Sequence, residues 1–290
     1  MRAVGIILAG GNNNRMKELT HKRAVAAMPI AGSYRSIDFA LSNMTNSHIQ
    51  KVAVLTQYNA RSLNEHLNSS KWWNFGRKQG GLYVFTPTIT NDNGYWYRGT
   101  ADAIYQNMDF LKKSHEPYVV IASGDAVYKM DYSKVLQYHI DKKADVTVVC
   151  KEMDPSDDVS RFGTIRMDDD MRITEFEEKP MVTKSNMIST GIYVIRRRLL
   201  IDLIEHAAEE ERFDFVNDVL IRYKNLKKIY GYKIDHYWSN IATVDAYYKT
   251  NMDFLKPEVR NYFFKQDPEI YSKVSDLPPA KYNPGASVKN

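Results

Sequence analysis

Short apolar runs of strand length alternate along this chain with segments of helical period, and that alternation restricts the fold more than any other feature. Ala3–Leu8, Lys51–Thr56, Tyr118–Ala122 and Asp145–Cys150 are the strand candidates. Ser36–Asn46 puts Ile37, Leu41 and Met44 on one stripe, and Thr100–Lys113 puts Ile104, Met108 and Leu111 on one face, so both read as helices. The pattern is that of an α/β domain with a mostly parallel sheet, in which ligands bind beyond the carboxyl ends of the strands. Chemistry is therefore expected just after Leu8, Thr56 and Ala122.

After Cys150 the pattern shifts to shorter extended pieces, FGTIRM, MRITEF and TGIYVI. The first two flank Asp168–Asp170 and read as a hairpin, with the acidic triplet as a solvated turn rather than a metal site. Arg196–Arg198 follows a strand and reads as the start of a surface helix. Further helices are expected at Val216–Lys224 and Thr243–Leu255. From Pro257 the periodicity fades, and Pro278, Pro279, Pro284 and Gly285 punctuate the tail. The expected division is a domain over 1–256 and an extended linker over 257–290.

A chain of 290 residues with 43% hydrophobic and 26% charged residues has material for a substantial core and is not of disordered or fibrous type. Its net charge of +5 comes from basic residues scattered along the sequence, so no nucleic-acid partner is expected. The single cysteine, Cys150, lies in the apolar run DVTVVC and reads as a buried thiol in a reducing compartment. MRAVGIILAGG is too short an apolar stretch for a secretion signal, and no run is long enough to span a bilayer. The expected location is cytoplasmic, with no membrane partner.

Four motifs carry chemistry. In LAGGNNNRMKELT, Gly10 and Gly11 close a first strand, where backbone N–H groups can approach a phosphate and Arg15 can add a bidentate contact; a plain tight turn is the competing reading. In GYWYRGTADAIYQN, Gly99 and Thr100 precede a helix whose N-terminus suits a phosphate or a base edge, or Thr100 is simply its cap. In VVIASGDAVYKMDY, Asp125 stands just past a strand, placed to hold a metal ion that neutralises a phosphoryl group, although Asp also caps turns. EFEEKP and ISTGIYVI supply Glu178, Lys179 and Ser189: a carboxylate for sugar hydroxyls, an ammonium for a phosphate and a hydroxyl, or else a surface ion pair.

Taken together, YRSIDFALSN, LTQY, WYRGTADAIYQN, SGD-x-x-Y-K-M-DY, EKP, GIYV and LPPAKY resemble, in order and spacing, the landmarks of the bacterial glucose-1-phosphate adenylyltransferases (ADP-glucose pyrophosphorylases) of glycogen synthesis. The resemblance implies a Rossmann-like nucleotidyltransferase domain with a mixed, mostly parallel sheet, followed by a left-handed β-helix that would begin about where this chain stops. It implies attack of the glucose 1-phosphate oxygen on the α-phosphorus of ATP with release of pyrophosphate, which needs positioning and charge neutralisation rather than a protein nucleophile. It also assigns roles: Gly10, Gly11 and Arg15 to the triphosphate, Gln57, Gly99 and Thr100 to the base, Asp125 to Mg²⁺, and Tyr97, Glu178, Lys179 and Ser189 to the sugar phosphate.

Against that pattern the chain departs at three places. Asn13 and Asn14 stand where active members have Gly then Thr or Ser; Val25 stands where they have a phosphate-binding lysine; Asn240 stands where they have the second metal-ligating Asp, and Ala242 replaces a following glycine. Asp245 is the nearest alternative carboxylate, five residues on and on an expected helix. Each loss is worth about 2–4 kcal/mol of transition-state stabilisation if it acts as a typical preorganised electrostatic contact, and two together would slow the reaction by roughly a thousandfold. The defects fall on the triphosphate and metal side and spare the sugar-phosphate side. That asymmetry, with the strings NNR and RAVAAMP, resembles the family's GlgD-type subunit, which implies a weakly active or inactive chain assembled with a GlgC-type catalytic homologue in a hetero- or homotetramer. An active glucose-1-phosphate adenylyltransferase is the alternative. Lys22 matches an activator-binding lysine of the family, which implies a regulatory role.

Overall fold

The computed structural model describes residues 2–76, 80–89, 94, 96–274, 278 and 281–287. Part of the LPPAKY landmark, including Pro279, lies outside them. Along the first half run β1 (Ala3–Ala9), β2 (Pro29–Ile30), β3 (Tyr34–Arg35), α1 (Ser36–Asn46), β4 (Lys51–Thr56), α2 (Arg61–His66), β5 (Gly81–Phe85), α3 (Thr100–Gln106), α4 (Met108–Lys112), β6 (Tyr118–Ser123), β7 (Ala126–Tyr128) and α5 (Tyr132–Asp141). The second half contributes β8 (Val146–Glu152), β9 (Gly163–Met167), β10 (Ile173–Glu178), β11 (Met187–Arg196), α6 (Arg197–Glu209), β12 (Ile229–Ile234), β13 (Trp238–Asn240), α7 (Val244–Asp253) and α8 (Pro257–Phe264).

In the main sheet β6, β1, β4 and β5 are parallel neighbours. β11 runs antiparallel between β6 and β8, β8 pairs with β12 in parallel, and the β9–β10 hairpin extends from the early part of β11. The alternation of side chains along β1 sorts two cores. Ala3 and Ile7 face one, under α1, α2 and α5; Val4 and Ile6 face the other, under α3, α4 and α6. All four strand candidates fall in this sheet, giving the mixed, mostly parallel α/β fold expected. Cys150 is fully buried in β8, and burial pushes its thiol up to about 12, so it is inert packing.

Three local expectations are corrected. Thr100–Lys113 is two helices rather than one: at Asn107 the backbone leaves the helical region, and the Asn107 carboxamide donates to Ala103 O and Tyr97 Oη, each at 2.9 Å. The segment expected as a helix over Val216–Lys224 is instead a wider π-type turn over Phe215–Ile221. The tail expected as an extended linker from Pro257 begins with α8, whose Phe263 is fully buried and meets Phe39 edge-on at 5.4 Å and Phe254 at 5.1 Å. Lys129 Nζ donates to Tyr262 O and Gln266 O at the carboxyl end of α8, where a cation satisfies otherwise orphaned carbonyls. Beyond it Ser272 Oγ donates to the buried Asp38 carboxylate at 2.6 Å and Tyr271 N to Ser42 Oγ at 2.8 Å, so residues 271–272 are stitched to α1. A periodicity too short to read, one buried aromatic in eight residues, concealed this helix.

The Asp168–Asp170 turn is as expected: Asp168 Oδ1 accepts from the N–H groups of Asp170 and Arg172. No helix among the described residues is long and apolar enough to cross a membrane.

Candidate functional site

The carboxyl ends of β1, β4 and β6 open into a cleft of about 790 Å³, continuous with a second lobe of about 210 Å³; Ser123, Asp125, Arg161, Lys179, Gly191 and Asn240 line both. Gly10, Gly11, Asn13, Arg15, Val25, Gln57, Tyr97, Gly99 and Thr100 line the larger lobe. Glu178, Ser189 and Trp238 line the smaller. The site expected from the sequence is thus one continuous space at the strand ends. Exposed Lys22 lines neither lobe.

The loop after β1 is tight at its first glycine and open at its second. A Cβ at Gly10 would stand 3.2 Å from Gln57 Cβ and 3.3 Å from Gln57 N, whereas one at Gly11 would meet nothing within 4 Å. Asn13 is extended, caps the following 3₁₀ turn through Arg15 N→Oδ1 (3.0 Å), and sends Nδ2 to Ala242 O at 2.7 Å. Ala242 N in turn donates to Asn240 Oδ1 at 3.0 Å. The two neutral amides therefore bracket one residue and tie the β1 loop to the turn after β13.

Val25, 8% exposed, packs with Met16, Met28 and Ile241 in a third apolar cluster that also receives Phe254 and Phe263. A position that would carry a phosphate-binding cation is here part of a core.

Asp125 and Asn240 are brought side by side by the antiparallel β7–β13 pair, in which Asn240 faces Ala126, and by Ile241 N→Asp125 O at 3.0 Å. Asp125 Oδ1 accepts from Ser123 Oγ at 2.5 Å. Phosphoryl-transfer enzymes generally hold a divalent cation through carboxylates at such a point. Here the donor set is one carboxylate, already partly engaged, and one carboxamide whose oxygen accepts Ala242 N–H. Asp245 is exposed in the first turn of α7 and does not line the cleft. Among the described residues no three His, Cys, Asp or Glu side chains converge. The residues present do not fit a two-carboxylate Mg²⁺ site.

Expectations for the base-binding wall change in detail. Gln57 Oε1 accepts from Tyr97 N at 2.6 Å and Nε2 donates to Tyr97 O at 3.3 Å, so this side chain braces the loop before α3. The N-terminus of α3 is not open for a phosphate: the N–H groups of Ala101 and Asp102 donate to Phe213 O at 2.8 and 3.4 Å. Thr100 Oγ1 accepts from Phe215 N at 3.0 Å rather than capping its own helix. A Cβ at Gly99 would stand 2.3 Å from Phe213 O, so the glycine is required by this docking. A helix N-terminus can bind a neighbouring chain segment as readily as a ligand, and sequence gives no sign which.

The wall of the smaller lobe, expected to hold the sugar phosphate, is built on a bulge. β11 loses register with β8 between Ser189 and Tyr193, and Gly191 takes φ +76°, a left-handed conformation that favours glycine. Ser189 Oγ donates to Tyr193 Oη at 3.2 Å. Glu178 Oε1 lies 3.1 Å from Lys179 Nζ; burial pushes the Glu178 carboxyl up, and the adjacent ammonium opposes that. Burial also raises the phenols of Tyr97 and Tyr193, which stay neutral. The sequence reading missed Arg161. Its only signal was an arginine beside the aromatic of RFGTIR, a residue exposed in most hairpins but half-buried here.

Strand-end loops, a glycine turn, a bulged strand carrying Ser189 and a carboxylate–ammonium pair converge on one cleft at the carboxyl ends of the strands, where α/β folds bind their ligands. The sequence profile of the nucleotidyl transferase family matches residues 4–257. Proteins named glucose-1-phosphate adenylyltransferase are similar over nearly the whole chain. That of Thermosipho melanesiensis is 39% identical over 289 residues, covering 99% of this chain and 70% of the relative. That of Clostridium novyi is 40% identical over 290 residues, covering 99% and 76%. That of Bacillus anthracis is 41% identical over 281 residues, covering 96% and 74%. The chain belongs to the nucleotidyl transferase family and, within it, to the glucose-1-phosphate adenylyltransferases.

Proposed function

We propose that this chain is a GlgD-like subunit that retains the glucose 1-phosphate side of the site, is weakly active or inactive alone, and supports a catalytic homologue in a mixed assembly. One observation carries the reading. The positions that would neutralise the triphosphate are locally satisfied without it: Val25 by apolar packing, Asn13 and Asn240 by their shared bonds to Ala242. Glu178, Lys179 and Ser189 remain grouped around the smaller lobe. In that lobe the carboxylate would accept sugar hydroxyls, Ser189 would add a hydroxyl contact, and the cations would face the phosphate. Attack on an α-phosphorus would lack one lysine charge and one carboxylate, which is the weakness the reading invokes.

The names of the relatives favour the second reading, an enzyme that makes ADP-glucose from ATP and glucose 1-phosphate. Steady-state release of pyrophosphate from ATP, glucose 1-phosphate and Mg²⁺, measured for the chain alone and mixed with a catalytic homologue, separates them. Little turnover alone and a changed rate or saturation in the mixture are expected. Robust turnover alone would overturn the proposal.

A further inference from the structure

Arg161 stands where the two lobes meet and lines both. Its guanidinium is held from two directions. Nη1 donates to Thr243 Oγ1 at 3.1 Å, and Thr243 is itself fixed as the cap of α7 by accepting Ala246 N–H at 3.2 Å. The Phe162 ring lies 4.7 Å below the guanidinium carbon. A guanidinium has five N–H donors, and among the described residues Thr243 is its one hydrogen-bond acceptor. No carboxylate among them lies within ion-pair distance of it.

The surrounding charges sharpen what such a group can hold. Arg161 is half-buried, and burial lowers its pKa most; Asp158 opposes this, Arg15 adds to it, and Asp125 and Asp157 oppose it. Asp158 is exposed and accepts from its own turn at Ser160 N. Arg15 and Arg161 line the larger lobe together with one carboxylate, Asp125, and with Asn240, which contributes no charge. A divalent cation placed there would find one carboxylate ligand, Asp125, among the cations Arg15, Arg161 and Lys179. A phosphate monoester dianion would meet the reverse and would also find rigid, unpaired donors in a planar fork. Lys179 is less suited to the task, because its ammonium is exposed and lies 3.1 Å from Glu178 Oε1.

We propose that Arg161, with Arg15 beside it, clamps the phosphate of the bound sugar phosphate, and that binding in this chain needs no divalent cation. This rests on the sugar-phosphate reading above and adds the residue and the charge source. In such a site the protein's own guanidiniums neutralise the ester, in the place where a metal would stand in a two-carboxylate site.

The test is calorimetric titration of glucose 1-phosphate into the full chain, once with EDTA and once with millimolar Mg²⁺, for wild type, Arg161→Gln and Arg161→Lys. Wild-type Kd should agree within about twofold between the two conditions. Arg161→Gln should weaken binding on the order of 10- to 100-fold, the range for loss of a charge-assisted contact. Arg161→Lys should fall between, since it keeps the charge and loses the fork. Thermal melting of the unliganded variants controls for folding, and Arg161→Lys keeps the test decisive if Arg161→Gln is poorly folded. Wild-type binding that appears only with Mg²⁺, or variants that bind as wild type does, would overturn this proposal alone. Absence of wild-type binding in both conditions would overturn the sugar-phosphate reading and this proposal with it.

Discussion

Restoring the two missing charges should restore catalysis, and Val25→Lys with Asn240→Asp is the sharpest form of that test. Asn240→Asp is nearly isosteric and keeps an oxygen for Ala242 N, now at 3.0 Å from the carboxamide oxygen, so it adds charge without breaking the turn. Val25 is 8% exposed but lines the cleft, so a lysine stem there can lie along Met16 and Met28 while its ammonium reaches the larger lobe. Intruding on that cluster should cost about 1–3 kcal/mol of stability. The return is about 2–4 kcal/mol of transition-state stabilisation per contact, and at ~1.4 kcal/mol per tenfold even the low end for the pair approaches a thousandfold in rate. The gains should be more than additive, because lysine and metal act on the same triphosphate. Pyrophosphate release with Mg²⁺, ATP and glucose 1-phosphate reads the result. A folded double variant that binds glucose 1-phosphate as wild type does and turns over no faster, with or without Asn13→Gly added, would refute the reasoning.

Three further outcomes follow from the same geometry. Phe263→Ala should lower stability by about 3–5 kcal/mol, because a fully buried ring between Phe39 and Phe254 is removed, and a denaturant midpoint close to wild type would show that α8 is not integral to the domain. Glu178 must be ionised to accept two sugar hydroxyls, and burial raises its pKa, so glucose 1-phosphate affinity should start to fall on acidification above the pH where an ordinary glutamate protonates. Titrating Glu178→Gln in parallel subtracts the ligand's own ionisation, and identical pH profiles would defeat the assignment. Buried His139 pairs Nδ1 with Thr147 Oγ1 and has its pKa pushed down to about 4. Its folded pKa lies below the unfolded value of about 6.5, so its stability contribution is whole above pH ~6.5 and is lost as pH falls toward ~4, by about 3 kcal/mol; His139→Gln should flatten that part of the denaturation profile.

What could be read from the sequence depended on the range of the interaction. β1, β4, β6 and β8 announce themselves as short runs rich in apolar residues between polar segments, and α1 because Ile37, Leu41 and Met44 repeat at helical spacing. The break at Asn107 was not legible, since it depends on a carboxamide finding Tyr97 Oη ten residues back. Nor was α8, whose reason for existing is Phe39, more than 200 residues earlier. Within the site, glycines and carboxylates at strand ends were visible as types. Their partners were not: Gly99 and Thr100 look the same in sequence whether they face a phosphate or Phe213 O, and the long-range bond to Phe213 decides.

The same distinction bears on how the three departures should be understood. A residue lost from a working site usually leaves something unsatisfied: a buried donor without an acceptor, or a cavity where a long side chain lay. Here each position has a partner of its own chemical kind. Val25 is apolar among Met16, Met28 and Ile241, and Asn13 donates to the very residue whose N–H Asn240 accepts. In this chain the Asn13–Ala242 bond joins the β1 loop to the turn after β13, and Asn240 holds the same residue from its other side. Consistency of packing and hydrogen bonding across all three positions is what a sequence that specifies this closed arrangement would show. A lysine restored at Val25 must therefore work against packing already satisfied, whereas an aspartate at Asn240 keeps its bond from Ala242 N, and the two charges together are predicted to exceed the sum of the single gains because both act on one triphosphate.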